Sequence, residues 1–247
     1  MPDNAHLGPQ SRAARGPEAV VLSGIAQRLG GRWALRGLSL KVAPGELVAI
    51  VGHNGSGKTT MLRVIATALR PTRGSGSVYG CDLKQDPDGA RAFTAMLTHS
   101  TGLYDDLTAA ENLEFAQRML GQTPDRDAIN LALAKVEMLR HADHRVRSFS
   151  SGMQRRVAVA RLFLRKTRLL LLDEPYNSLD PAGVVLIDEL LTETKAAGGS
   201  ALVVLHDLER GSAQFDRIVE LAQGKVIDER LPESREEAAL ASVGGLG

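Results

Sequence analysis

The strongest chemical signal in the chain is the run Gly52-His53-Asn54-Gly55-Ser56-Gly57-Lys58-Thr59. Its spacing, G-x-x-x-x-G-K-[ST], suits phosphate. Glycines let the backbone curl so that successive N–H groups point at phosphate oxygens. Lys58 sets a positive charge against the β- and γ-phosphates, and Thr59 offers a hydroxyl to Mg²⁺. The binding stretch runs from Gly52 through Thr60, and the helix expected after it adds the positive end of its dipole. His53 is expected to sit exposed on the loop with no catalytic role. The motif alone leaves the nucleotide and the reaction open.

A second constellation is Leu169-Leu170-Leu171-Leu172-Asp173-Glu174, four apolar residues that end in two carboxylates. A buried strand tolerates unpaired carboxylates only where it emerges, because burying a lone charge is costly. In parallel α/β sheets that edge is where ligands bind. Asp173 is placed to hold Mg²⁺. Glu174, one residue on, is free to polarise a water for attack on a γ-phosphate. A third segment, Ser150-Ser151-Gly152, can cap the helix that follows and leave N–H groups free for an anion.

The elements that must position these residues are legible in outline. Leu47–Val51 is a continuous apolar run feeding the phosphate loop, and Lys58–Leu69 carries helical spacing that Pro71 is expected to stop. Val20–Ile25 and Leu38–Val42 suggest an antiparallel β-layer before it. From about Asp88 to Val146 the pattern is mostly helical, clearest over Glu111–Leu120 and Ala128–Leu139. A helix is expected over Arg155–Leu164 and another over Val184–Ala197, with strands at Leu169–Leu172, Ala201–Leu205 and Ile218–Leu221. Alternating strand and helix imply a largely parallel sheet.

The composition narrows the class. The chain has 247 residues, 43% of them hydrophobic, enough for one large domain or a domain carrying an insertion. A net charge of +1 gives no electrostatic reason to expect nucleic acid. The single cysteine, Cys81, excludes an intramolecular disulfide and reads as a partly buried loop residue. No apolar run approaches the roughly 20 residues that span a bilayer. Residues 1–17 read as a disordered tail and 232–247 as a flexible one.

With these pieces together, the chain resembles the ABC ATPase family over roughly Val20 to Glu229. Phe149-Ser150-Ser151-Gly152-Met153 is similar to that family's LSGGQ signature. Phe149 stands for Leu, Ser151 for the first Gly and Met153 for Gln, while Ser150 and Gly152 are retained. The resemblance implies a P-loop NTPase (RecA-like) α/β fold. Its mainly parallel core would carry an antiparallel β subdomain, and a helical signature subdomain inserted at about 88–150, within a domain of residues 18–231. It implies ATP as substrate and Mg²⁺ as cofactor. It also implies a dimer, in which one subunit's phosphate loop and another's signature segment enclose each nucleotide. With one set of motifs, the chain is expected to work as a homodimer or beside a similar ATPase subunit. Ser178-Leu179-Asp180 resembles the D-loop that crosses between subunits. His206, followed by Asp207, resembles the switch histidine at the γ-phosphate.

Two positions depart from the family pattern. His99 stands where a Q-loop glutamine is expected, eight residues before the Leu-Thr of Leu107-Thr108-Ala109-Ala110-Glu111-Asn112-Leu113. A histidine reaches less far, and its charge depends on pH. Leu29 occupies the position of the aromatic that stacks on adenine, with Trp33 four residues on as a substitute or as a packing residue. His99 and the surrounding sequence resemble the ATP-binding subunit of the cytochrome c biogenesis haem exporter. That implies integral membrane transporter subunits as partners, and a peripheral place on the cytoplasmic side of the membrane. The alternatives are the ATPase of a drug, lipid or polysaccharide exporter, or a soluble non-transport ABC ATPase.

Overall fold

The computed structural model describes residues 16–177, 179–206 and 214–232. Both expected tails lie almost wholly outside the described residues, as do Ser178 and Asp207. Two sheets organise the rest. Strands β1 (Val20–Leu29), β2 (Arg32–Val42), β4 (Arg73–Val78) and β5 (Cys81–Asp82) form an antiparallel sheet in the order β2-β1-β4-β5. Gly30 and Gly31, both at positive φ, make the two-residue turn of the β1–β2 hairpin. Cys81 lies in the short β5 strand paired with Val78, not in a loop.

The second sheet has the order β10-β9-β3-β8-β7-β6. It comprises β3 (Leu47–Val51), β6 (Thr94–Leu97), β7 (Leu169–Asp173), β8 (Ser200–Val204), β9 (Arg217–Ala222) and β10 (Lys225–Arg230). All neighbours are parallel except β10, which pairs antiparallel with β9. Strands β3, β7 and β8 read as unbroken apolar runs because both faces are covered. Their residues alternate between two cores. Ala49, Leu170, Leu172 and Val203 face the core built with the helical region. Val48, Ile50, Leu169, Leu171 and Val204 face the core shared with the antiparallel sheet and helix α1 (Lys58–Ile65). The expected fold class is the one observed.

Several elements differ from the sequence reading. Helix α1 ends at Ile65 rather than Leu69: Thr67 adopts positive φ, and the Leu69 N–H bonds back to the Arg63 carbonyl at 3.1 Å. Pro71 therefore lies beyond a turn already made by the backbone. The stretch from about 88 is not helical throughout. After the short α2 (Pro87–Phe93), Thr94–Leu97 forms β6 and pairs in parallel with Leu169–Leu172. Four residues directly behind a helix give too little period-2 signal, so only the partner strand selects this conformation. The antiparallel strands β4, β5 and β10 are likewise short, glycine-containing or exposed, and carry no hydrophobic pattern of their own.

The inserted region holds α3 (Ala109–Met119), α4 (Arg126–Lys135) and α5 (Ser151–Arg165). Thr108 and Glu111 form a reciprocal capping box at the start of α3, a signal present in the sequence as T-x-x-E. Buried Asn112 then pins the preceding loop, accepting from Tyr104 N–H and donating to the Tyr104 and Thr108 carbonyls. Helix α6 (Pro181–Ala196) starts with Asp180 as its cap and proline at its first position. Among the described residues, no helix is long and apolar enough to cross a membrane.

Candidate functional site

The phosphate loop leaves the carboxyl end of β3 and enters α1. Gly52 (φ +138°) and Gly57 (φ +110°) hold conformations that favour glycine, and both are also closely packed. A Cβ on Gly52 would lie 2.1 Å from the Leu221 carbonyl oxygen, and one on Gly57 would lie 2.8 Å from that of Ala34. The β9–β10 hairpin braces the loop from outside, its Gly224 N–H donating to the Ser56 carbonyl at 2.9 Å. Gly57 caps α1 with no side-chain bond, and the first turn holds no acid. The helix N–H groups are thus left for a ligand. The buried Ser56 hydroxyl has no partner. His53, Asn54 and Gly55 are exposed, as expected of His53.

Lys58 is buried, and its ammonium donates to the Gly52 carbonyl (2.6 Å) and the His53 carbonyl (3.1 Å). Burial lowers its pKa, while the charges of Glu174 and Asp173 act in the opposite direction. This cation is held inside the curl of the loop by carbonyls, without a carboxylate hydrogen bond. It is therefore poised for an incoming anion.

Strand β8 separates β3 from β7, so Asp173 and His206 emerge at the same sheet end as the loop. The Leu205 N–H bonds to Ile50 O (3.0 Å) and the Glu174 N–H to Val204 O (3.2 Å). These bonds lock the three strand ends together. Asp173 is buried, and that burial pushes its carboxyl above the ordinary carboxylate value. Thr59 beside it pulls the other way, as do Arg63 and Lys58, while the Glu174 charge adds to the rise. Glu174 adopts φ +48°, unusual for a side chain of its size. Its carboxylate accepts from the Asn177 amide at 2.6 Å. Exposed His206 stands two residues past the end of β8.

Ser150 caps α5, its hydroxyl accepting from the Met153 N–H at 3.3 Å. The departures from the signature at Phe149 and Met153 are apolar and pack on the core next to the helical region. Ser150 and Ser151 are exposed and Gly152 half-buried. Ser151 and His99 share a cavity of about 280 Å³ with Gln154, Arg155 and Asn177. Asp180 accepts from the Gly183 N–H (2.8 Å), and its two carboxylate oxygens accept from one terminal nitrogen of Arg156 at 2.9 and 3.0 Å. Those two contacts, the backbone bond first, hold its carboxyl below the usual range. Leu29 and Trp33 are both exposed at the β1–β2 turn, and the Arg73 guanidinium lies 5.6 Å from the Trp33 ring centre.

Sequence reasoning missed Arg155 and Asn177. Both touch Glu174, one at its carbonyl and one at its carboxylate. Arg155 follows no spacing rule, because its contact is made across elements that only the fold brings together, whereas Asn177 lies three residues past Glu174 in the same turn.

The donor set suits Mg²⁺. Thr59 and Asp173 are neighbouring oxygen donors of the hard type this ion prefers, and it ordinarily completes its shell with phosphate and water. Among the described residues, no group of three His, Cys, Asp or Glu side chains could hold a metal by itself. A nucleotide's phosphates would therefore have to share the ion.

The ABC transporter family profile matches residues 35–177. The chain belongs to the ABC transporter family. As an ABC ATPase it also has named relatives. The Cupriavidus metallidurans cytochrome c biogenesis ATP-binding export protein CcmA 2 is 44% identical over 171 residues, covering 69% of this chain and 81% of that one. Other proteins described as CcmA match at 36–38% identity. The Bacillus subtilis ABC transporter ATP-binding protein NatA is 35% identical, covering 78% of this chain and 80% of that one. Among solved structures, a dimeric ATP-binding cassette in a post-hydrolysis state, bound to ADP and Pi, superposes with TM-score 0.79 at 28% identity. It covers 87% of this ABC ATPase and 99% of that chain.

Proposed function

We propose that this ABC ATPase binds ATP on Gly52–Thr60 and hydrolyses it with Glu174 as general base, to drive export in cytochrome c biogenesis. The observation that carries the reading is the meeting of Lys58, Asp173 and Glu174 at one sheet end, within mutual Coulombic reach. Lys58 and the α1 N–H groups hold the β- and γ-phosphates. Thr59 and Asp173 would hold Mg²⁺, which when bound neutralises charge on the bridged phosphates. Glu174 takes the proton from the attacking water. His206 and Lys58 stabilise the negative charge that develops on the γ-phosphoryl oxygens.

Two copies, or this chain and a similar ATPase, enclose each nucleotide between the phosphate loop of one and Ser150–Gly152 of the other. Asp180 lies along that seam, and the dimeric state of the solved relative supports the pairing. His99 takes the glutamine's role at the turn after β6. Trp33, stiffened by Arg73, or Leu29 contacts adenine.

The ATPase sits at the cytoplasmic face, held by an integral membrane subunit. A cleft of about 700 Å³ supports this docking; Met96, Tyr104, Phe115 and Met119 line it, with Arg161 and Arg165. Met119, 70% exposed at its edge, is an apolar side chain that a partner would cover. The CcmA descriptions of the relatives favour haem as the exported cargo, which the membrane subunits handle. The NatA match favours a second reading, the motor of another exporter. Co-purification from membranes tests both. A multi-span, haem-handling subunit that stimulates ATP turnover supports the first. A membrane subunit without haem chemistry supports the second. Failure of any membrane protein to co-purify refutes both.

A further inference from the structure

Arg155 is 4% exposed, on the second turn of the signature helix α5. One terminal nitrogen donates to the Thr98 carbonyl, immediately before His99, and the other donates to the Glu174 carbonyl at 3.1 Å. Its Nε has no partner. A buried guanidinium ordinarily takes a carboxylate in a forked pair. This one takes two backbone carbonyls from two different strand ends, with Asp173 attracting it only through space. Burial on those terms is unfavourable, so the arrangement stabilises something other than the arginine itself.

What it holds is unusual backbone. Glu174 sits at φ +48°, a strained conformation for a residue with a Cβ. Its N–H is tied to Val204 and its carboxylate to the Asn177 amide; its carbonyl accepts from the Asn177 N–H at 3.2 Å within the turn and from Arg155, which ties that carbonyl to α5. We infer that Arg155 is a positioning residue for hydrolysis, holding Glu174 in its left-handed turn and coupling that turn to α5 and to the segment carrying His99. A shift of α5 when the signature segment meets a nucleotide is then felt directly at the base. The inference rests on Glu174 being that base.

The test uses the full chain with its membrane partner and compares Arg155→Met, Arg155→Lys and Glu174→Gln for kcat, KM, affinity for a fluorescent ATP analogue and Tm. Misplacing a reacting group by about 1 Å costs on the order of 100-fold in rate. Arg155→Met is expected to lower kcat by about 10- to 100-fold, with KM and ATP affinity within about threefold of wild type. Arg155→Lys, which keeps the charge and one donor, is expected to recover part of that loss at unchanged KM. If Arg155→Met does not fold, the Lys variant decides: reduced kcat at wild-type KM supports the inference, and wild-type kcat overturns it. Parallel falls in kcat, ATP affinity and Tm would mark a merely structural arginine and overturn it too. Glu174→Gln separates the two claims. If Glu174→Gln stays active, the base assignment fails and this inference with it. If it is inactive while both Arg155 variants turn over normally, only the inference fails.

Discussion

Replacing Glu174 by glutamine removes one proton acceptor and little else. The side chain keeps its size, and its amide carbonyl can still accept the Asn177 bond made at 2.6 Å. The φ of +48° is held by the backbone bonds to Val204 and Asn177 and by Arg155 on the carbonyl, which the substitution leaves intact. Losing the charge removes a repulsion from Asp173 and an attraction to Lys58, which offset each other. Stability should therefore stay within about 1 kcal/mol, or about 2–4 °C in Tm for a domain of this size. Turnover is another matter. A positioned general base contributes about 10²–10⁴-fold, which at about 1.4 kcal/mol per decade raises the barrier by roughly 3–5.5 kcal/mol. Phosphate release would measure kcat, a fluorescent ATP analogue would measure binding, and size exclusion with ATP would reveal a trapped dimer. Turnover within about threefold of wild type would refute the base assignment. Loss of binding along with turnover would show that the carboxylate shapes the phosphate site instead.

Gly52→Ala should be destabilising, because its Cβ would fall 2.1 Å from a backbone oxygen of β9 at a φ of +138°. Backbone strain of about 1–3 kcal/mol corresponds to a Tm lower by roughly 2–12 °C, with weaker ATP binding; an unchanged Tm by scanning fluorimetry would refute the close packing. Asp173→Asn should abolish Mg²⁺-dependent turnover yet stabilise the nucleotide-free protein. The folded pKa of Asp173 is raised above 3.8, so the native state holds that proton more tightly. Its stabilising contribution is complete below 3.8 and is lost as pH rises through the folded pKa. The Asn variant should therefore gain most over wild type at about pH 8 and least near pH 4. Paired thermal melts showing no gain at the higher pH would contradict the burial cost assigned to this carboxylate.

The chemistry was legible where one local stretch of backbone performs it. Gly52–Thr59 makes its own anion site from consecutive N–H groups and a fixed lysine, so its spacing alone announces phosphate. Asp173 and Glu174 announced themselves because four leucines require burial and two carboxylates forbid it, which places the pair at a strand end. The apolar runs of β3, β7 and β8 marked the central sheet for the same reason. Other features needed the folded chain. Thr94–Leu97 becomes a strand only because Leu169–Leu172 offers it a partner, and a four-residue segment has no periodicity to declare that in advance. Arg155 reads as one more basic residue on a helix until the fold sets Thr98 and Glu174 within its reach, 57 and 19 residues away along the chain. Local backbone geometry is written in neighbouring residue types, whereas contacts between distant segments depend on how the sheet and helices pack.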